Sequence, residues 1–135
     1  MSISILGSII AAIVSMMIGF AWYSDALFGK RWRSGLGWSD EYMSNMKERG
    51  MTGVIIGGFL SEFVMAVILS FMIQLVGVFS APQAMTLAFW IWLGFIATIQ
   101  MGSVFWERRS FGFYLINSLY RLVTLLVMAI ILTLV

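Results

Sequence analysis

The sequence predicts an all-α membrane protein: a four-transmembrane-helix bundle with a short amphipathic cytoplasmic helix between spans one and two. Three observations carry that reading. Of 135 residues, 61% are hydrophobic and only 10% charged, against about 25% charged in a soluble domain. The few charges fall in clusters and leave four apolar stretches, each close to the ~20 residues that cross ~30 Å of hydrocarbon. Ten-residue alternating strands separated by frequent turns, the pattern of a membrane barrel, do not occur. The length suits one domain, residues 1–135.

Span one is expected over 3–23, because Asp25 is the first charge in the chain. Met1-Ser2 supplies no basic n-region, and the apolar run exceeds a signal-peptide h-region. The run closes on Trp22-Tyr23, an interfacial anchor pair, so the segment is read as retained. Span two is expected over 52–78, interrupted by Glu62 alone and free to fray at Gly77. Span three is expected over 84–106, after a Phe79–Gln83 turn. Pro82, the one proline, suits a helix start. Span four is expected over 112–133, interrupted by Arg121 alone.

The loop joining spans one and two has two parts. Ser24 to Trp38 reads SDALFGKRWRSGLGW, basic and aromatic residues interleaved with glycine, and is expected to be a turn in the headgroup region. Ser39 to Arg49 reads as a short helix. Ser39 can cap it, Asp40 and Glu41 suit its positive end, Lys47 and Arg49 its negative end, and Gly50 can end it. Tyr42, Met43 and Met46 share one face, so the helix is expected to lie on the membrane; the alternative is a plain connector. Trp22 ahead of Phe28-Gly29 parallels Trp106 ahead of Phe111-Gly112, which suggests a duplicated hairpin.

Orientation follows from the basic residues. Lys30, Arg31, Arg33, Lys47 and Arg49 lie in the first loop, and Arg108 and Arg109 in the third. The other exposed segments hold none. The positive-inside rule then puts both loops in the cytoplasm and both termini in the periplasm, in a multi-pass protein of the cell inner membrane. Net charge is +2. The basic residues are too few and too interfacial for nucleic-acid binding.

Small residues mark helix-packing faces. Gly7, Ala11, Ser15 and Gly19 recur in span one, Gly53, Gly57 and Ser61 in span two, and Gly94, Thr98 and Gly102 in span three. They serve either packing within the bundle or a homo-oligomer interface. A second stripe in span two, Gly58, Glu62, Ala66, Ser70 and Gln74, must face protein or water. Glu62 and Arg121 each lie about 11 residues beyond the start of their spans, roughly 16 Å deep. A pair at that depth offsets the ~2.5–3.5 kcal/mol that an isolated charge costs there. Gln100 and Asn117 lie within reach of the same level, so the intramembrane polar cluster is expected to be Glu62, Arg121, Gln100 and Asn117.

The stretch GFAWYSDALFGKRW, Gly19 to Trp32, resembles the signature of a bacterial family of small four-span membrane proteins, the "domain of unknown function 1761" family. Gly19, Trp22, Tyr23, Ser24, Leu27, Phe28, Gly29, Lys30 and Trp32 match its segment. Trp106, Glu107, Arg108, Asn117 and Tyr120 are similar to elements before and within the family's last span. Asp25 departs from the proline common after Tyr-Ser. The resemblance implies topology and a bacterial origin, and carries no activity.

With no histidine or cysteine, there are no His–Cys metal sites, thiolate nucleophiles or imidazole bases. No Gly-rich phosphate loop or nucleophile–base pair stands in their place. No cofactor, metal site or enzymatic activity is expected. The expected role is a lipid- or partner-binding bundle. Lys30, Arg31, Trp32 and Arg33 either fix topology alone or also gather anionic headgroups, at about 1 kcal/mol per basic residue. The alternative is a small transporter or channel for an ion or small molecule, working through Glu62 and Arg121.

Overall fold

The computed structural model describes residues 3–135, and these are helical without strands. Four helices are long and apolar enough to cross a membrane: Ile5–Trp22, Thr52–Val76, Ala81–Phe105 and Phe111–Leu134. Each lies within a few residues of its expected span. Met1 and Ser2, invoked above for the missing n-region, lie outside the described residues.

Serine chemistry sets where three of the four spans begin. The hydroxyls of Ser4, Ser80 and Ser110 accept from the backbone N–H of Gly7, Gln83 and Phe113. Each satisfies one of the donors that a helix start leaves open. Pro82 occupies the first turn after Ser80, so span three starts at Ala81 rather than 84. Ser39 caps the loop helix Asp40–Glu48 by accepting from the Tyr42 N–H.

The segment expected to be a turn contains a second loop helix, Gly29–Leu36. Its glycines permit close approach. A Cβ on Gly29 would collide with the Tyr23 carbonyl oxygen, and one on Gly35 would come within 2.6 Å of Phe113. Gly37, in the left-handed region, ends the helix.

Around the bundle the spans run two, one, four, three. Span four packs against both one and three, and span one against two and four. Span two meets span three over the latter's Ala81–Ile91 half. The half of the bundle away from the basic loops holds an apolar core of Ala11, Ala66, Leu69, Ala84, Ala88 and Met128. Its many alanines let helix backbones approach, which is how helices associate where lipid removes the hydrophobic drive. The half nearer the basic loops is polar inside.

Span three contains a π-helical turn, Trp92–Ala97. Such turns insert one residue into an α-helix. The Trp92 indole donates to the Ser118 carbonyl (2.7 Å) and the Tyr114 hydroxyl to the Ala97 carbonyl (2.9 Å). Both ends of the π-turn are thereby tied to span four.

Candidate functional site

Two polar regions are built on this frame. The first is inside the membrane. Glu62 comes from the small-and-polar face of span two, with Ala66 and Ser70 buried on the same side. Only 3% of Glu62 is exposed, and its Oε1 accepts from Arg121 Nη1 at 2.5 Å. The guanidinium also lies 4.9 Å from the Tyr120 ring centroid, a cation–π contact that adds attraction in a desolvated site.

Gln100 and Asn117 do not complete this pair. The Asn117 Oδ1 accepts from the Tyr23 hydroxyl at 2.7 Å. Gln100 Oε1 and Glu62 Oε2 are buried without a hydrogen-bond partner. The expected four-residue cluster is therefore a two-residue pair with the amides set apart. Span four turns Asn117 toward span one, and Gln100 follows the π-turn that re-aims its helix.

Span one is stitched to span four beside the pair. The Trp22 indole donates to the Ile116 carbonyl (2.9 Å), and the Tyr120 hydroxyl donates to the Ser15 carbonyl (3.1 Å). Tyr23 and Tyr120 meet edge to face at 5.2 Å. Gly19 makes room for the Tyr120 ring, whose hydroxyl would lie 2.7 Å from an added Cβ.

The small-residue ridges divide. Gly7, Ala11 and Ser15 are buried inside the chain. Gly53 and Gly57 are exposed, and a Cβ on either would touch nothing. Packing within the bundle, one of their two expected roles, therefore does not apply to them: span two turns its other face, the one with Glu62 and Ala66, inward.

The second polar region is a groove of about 900 Å³ where the two basic loops meet. Lys30 and Arg31 from the Gly29–Leu36 helix and Arg108 and Arg109 from the third loop give it a cationic mouth. Leu115, Ile116 and Leu119 carry an apolar wall about one turn long on span four, roughly 6 Å of rise. Arg109 locks the walls together: its Nη1 donates to the Gly35 carbonyl at 2.6 Å and its guanidinium lies 5.5 Å from the Phe113 centroid. Arg108 turns the loop with φ 55°, a left-handed conformation that costs a non-glycine residue roughly 1–2 kcal/mol.

Of the expected headgroup residues, Lys30 and Arg31 line this groove, whereas Arg33 and Trp32 do not. Arg33 bonds Asp25 at 2.5 Å, and that bond holds the Asp25 carboxyl below the usual carboxylate range. Trp32 packs between Tyr23, tilted against it, and Trp38, edge to face. The third-loop contribution of Glu107, Arg108 and Arg109 was not assigned from sequence. The signals available were the basic charge of Arg108 and Arg109, at the same end as the first loop, and the family resemblance at Glu107 and Arg108.

A smaller cavity of about 430 Å³ adjoins, between the end of span three and the start of span four, and Glu107 and Phe113 line both spaces. Neither space is lined by Glu62. No group of three or more acidic residues that could hold a metal occurs among the described residues.

A family model described as "Protein of unknown function (DUF1761)" matches residues 6–133. No curated protein and no solved structure matches the chain.

Proposed function

We propose, on the premise that the chain belongs to this DUF1761 family, that it is a non-enzymatic multi-pass membrane protein binding phospholipid headgroups in the groove between its basic loops. The observation that carries this reading is the pairing of a cationic mouth with an apolar wall that runs into the membrane. A soluble anion would use the mouth alone, whereas a phospholipid uses both. The proposed setting is the inner membrane with both basic loops cytoplasmic, where anionic lipid favours each Lys or Arg by about 1 kcal/mol. A C-terminal alkaline phosphatase fusion reads that orientation, being active only if the terminus is periplasmic.

The test is retention of phosphatidylglycerol by purified protein, counted by native mass spectrometry. Replacing Lys30 and Arg31 together by Gln should weaken retention roughly thirtyfold, the equivalent of two such charges. Replacing Arg33 by Gln should change it little, because Arg33 is engaged by Asp25. Equal retention by the Lys30/Arg31 double variant would remove the reading.

One observation favours a second reading, transport: Glu62 keeps a buried carboxylate oxygen without a partner. Proton flux in proteoliposomes, lost in Glu62→Gln while the fold is kept, would promote it over lipid binding. The exposed Gly53, Gly57 and Ser61 ridge supports a further proposal, a homo-oligomer joined through span two.

A further inference from the structure

We infer that the groove selects a phospholipid whose headgroup carries a primary ammonium beside its phosphate, with Glu107 receiving the ammonium. This rests on the lipid reading above and names the lipid class. Glu107 is the acidic residue of the groove and stands on its boundary with the smaller cavity. Arg108 and Arg109 follow it in sequence, yet its carboxylate makes no ion pair: the two among the described residues are Asp25–Arg33 and Glu62–Arg121. Arg109 is committed to the Gly35 carbonyl, and Arg108 lies at the left-handed bend. Glu107 is exposed at the rim, so its carboxylate is open to a ligand.

Beyond Glu107 the lining changes character. The smaller cavity holds Gln100, Ser103 and Asn117 and no Lys or Arg. The Gln100 Oε1 is a buried acceptor with no donor. Trp106 adds an aromatic face at the same rim, which suits a cation. From the basic wall through Glu107 into this cavity, the lining passes from anion-binding to cation-binding.

A phosphoethanolamine headgroup has the matching order. Its phosphate takes the basic wall, and its ammonium brings three N–H donors to Glu107 and the acceptors behind it. A glycerol headgroup offers no cation to the carboxylate. A choline headgroup offers a cation without N–H donors, so the acceptors stay unsatisfied, which is costly when buried.

The experiment is a competition in which full-length protein meets equal amounts of phosphatidylethanolamine, phosphatidylglycerol and phosphatidylcholine, with bound lipid counted by native mass spectrometry. The amine lipid should be retained about fivefold over either competitor, the size of one exposed ion pair. Glu107→Gln should erase that preference, bringing retention of the amine lipid down to that of the other two. The unmodified protein gives a second arm that needs no variant: N-acetylated phosphatidylethanolamine, which keeps its phosphate and loses its ammonium, should lose the advantage. Equal retention of the acetylated lipid, or a preference surviving in Glu107→Gln, would overturn this inference and leave the lipid reading in place. Retention indifferent to Lys30 and Arg31 would overturn the lipid reading itself. Soluble glycerophosphoethanolamine displacing the lipid at equal concentration would overturn both, since the apolar wall would then contribute nothing.

Discussion

Spans one and four are joined by three side-chain hydrogen bonds, from Trp22, Tyr23 and Tyr120, over the half of the bundle nearest the basic loops. Spans two and three pack through the Ala81–Ile91 half of span three. Span two is tied to the polar half by the Glu62–Arg121 pair. Both arrangements contain glycine or serine ridges, so small residues alone do not decide which helices associate. A ridge becomes a seam where a partner side chain fills it. Tyr120 enters the space at Gly19, whereas nothing enters at Gly53 or Gly57. In lipid, where burying apolar surface provides no drive between helices, packing and donated hydrogen bonds carry the association.

The contrast is broken most severely at the ion pair. Arg121→Met alone should lower stability in detergent by about 3–5 kcal/mol, because it strands a buried carboxylate. Adding Glu62→Gln should recover most of that loss. Thermal unfolding of both single variants and the double gives the cycle, and purely additive losses would show that the pair does not hold span two.

Next in size is the difference between ridges. Ser15→Leu overfills a fully buried position and should cost about 1–3 kcal/mol. Gly57→Leu, facing open space, should stay within about 0.5 kcal/mol for the single chain. If span two joins copies, Gly57→Leu should also lower the assembled mass in mild detergent. Equal destabilisation by the two changes would erase the distinction between a filled ridge and an empty one.

The smallest effect sharpens the picture outside the membrane. The Asp25 carboxyl is lowered by its bond to Arg33. A lowered folded-state value means that the stabilisation is present above the ordinary carboxylate range and is lost as pH falls through the folded value. The melting temperature of the wild type should therefore approach that of Asp25→Asn on acidification. The pair is exposed, so the difference should be slight. A gap that widened with acid would contradict the assignment.

Depth was legible in the sequence. Counting from the span starts sets Glu62 and Arg121 level, and the structure joins them. Span limits were legible to within a few residues because charges mark them, whereas the Ser80 cap that starts span three at Ala81 was not read. Azimuth was less so. Trp22 and Trp106 occupy parallel sequence contexts, yet the Trp22 indole reaches the Ile116 carbonyl while Trp106 is 89% exposed. The parallel glycines differ likewise, Gly29 buried and Gly112 exposed. The Gly29–Leu36 helix was hidden because glycines that permit close packing look the same in sequence as glycines that permit a turn. The groove was half visible: Lys30 and Arg31 could be named, but Glu107, Arg108 and Arg109 join them only through a contact across about 74 residues of chain, Arg109 to Gly35.

The π-turn of span three explains a further silence and has a consequence of its own. Before it, Ala84 and Ala88 are buried four apart. Continued at 3.6 residues per turn, the inward face would pass through residues 95 and 99, but Phe95 is 69% and Ile99 73% exposed, while Ala97 is buried. The extra residue advances everything after it by about 100°. The helix is thus written in one phase up to Trp92 and in another beyond Ala97. Gln100, Ser103 and Glu107 owe their place beside the basic loops to that phase shift. A deletion of one residue inside the turn would leave every one of those side chains in the sequence and swing them out toward the bilayer, so the chemistry of the rim is encoded as much by the length of span three as by its composition.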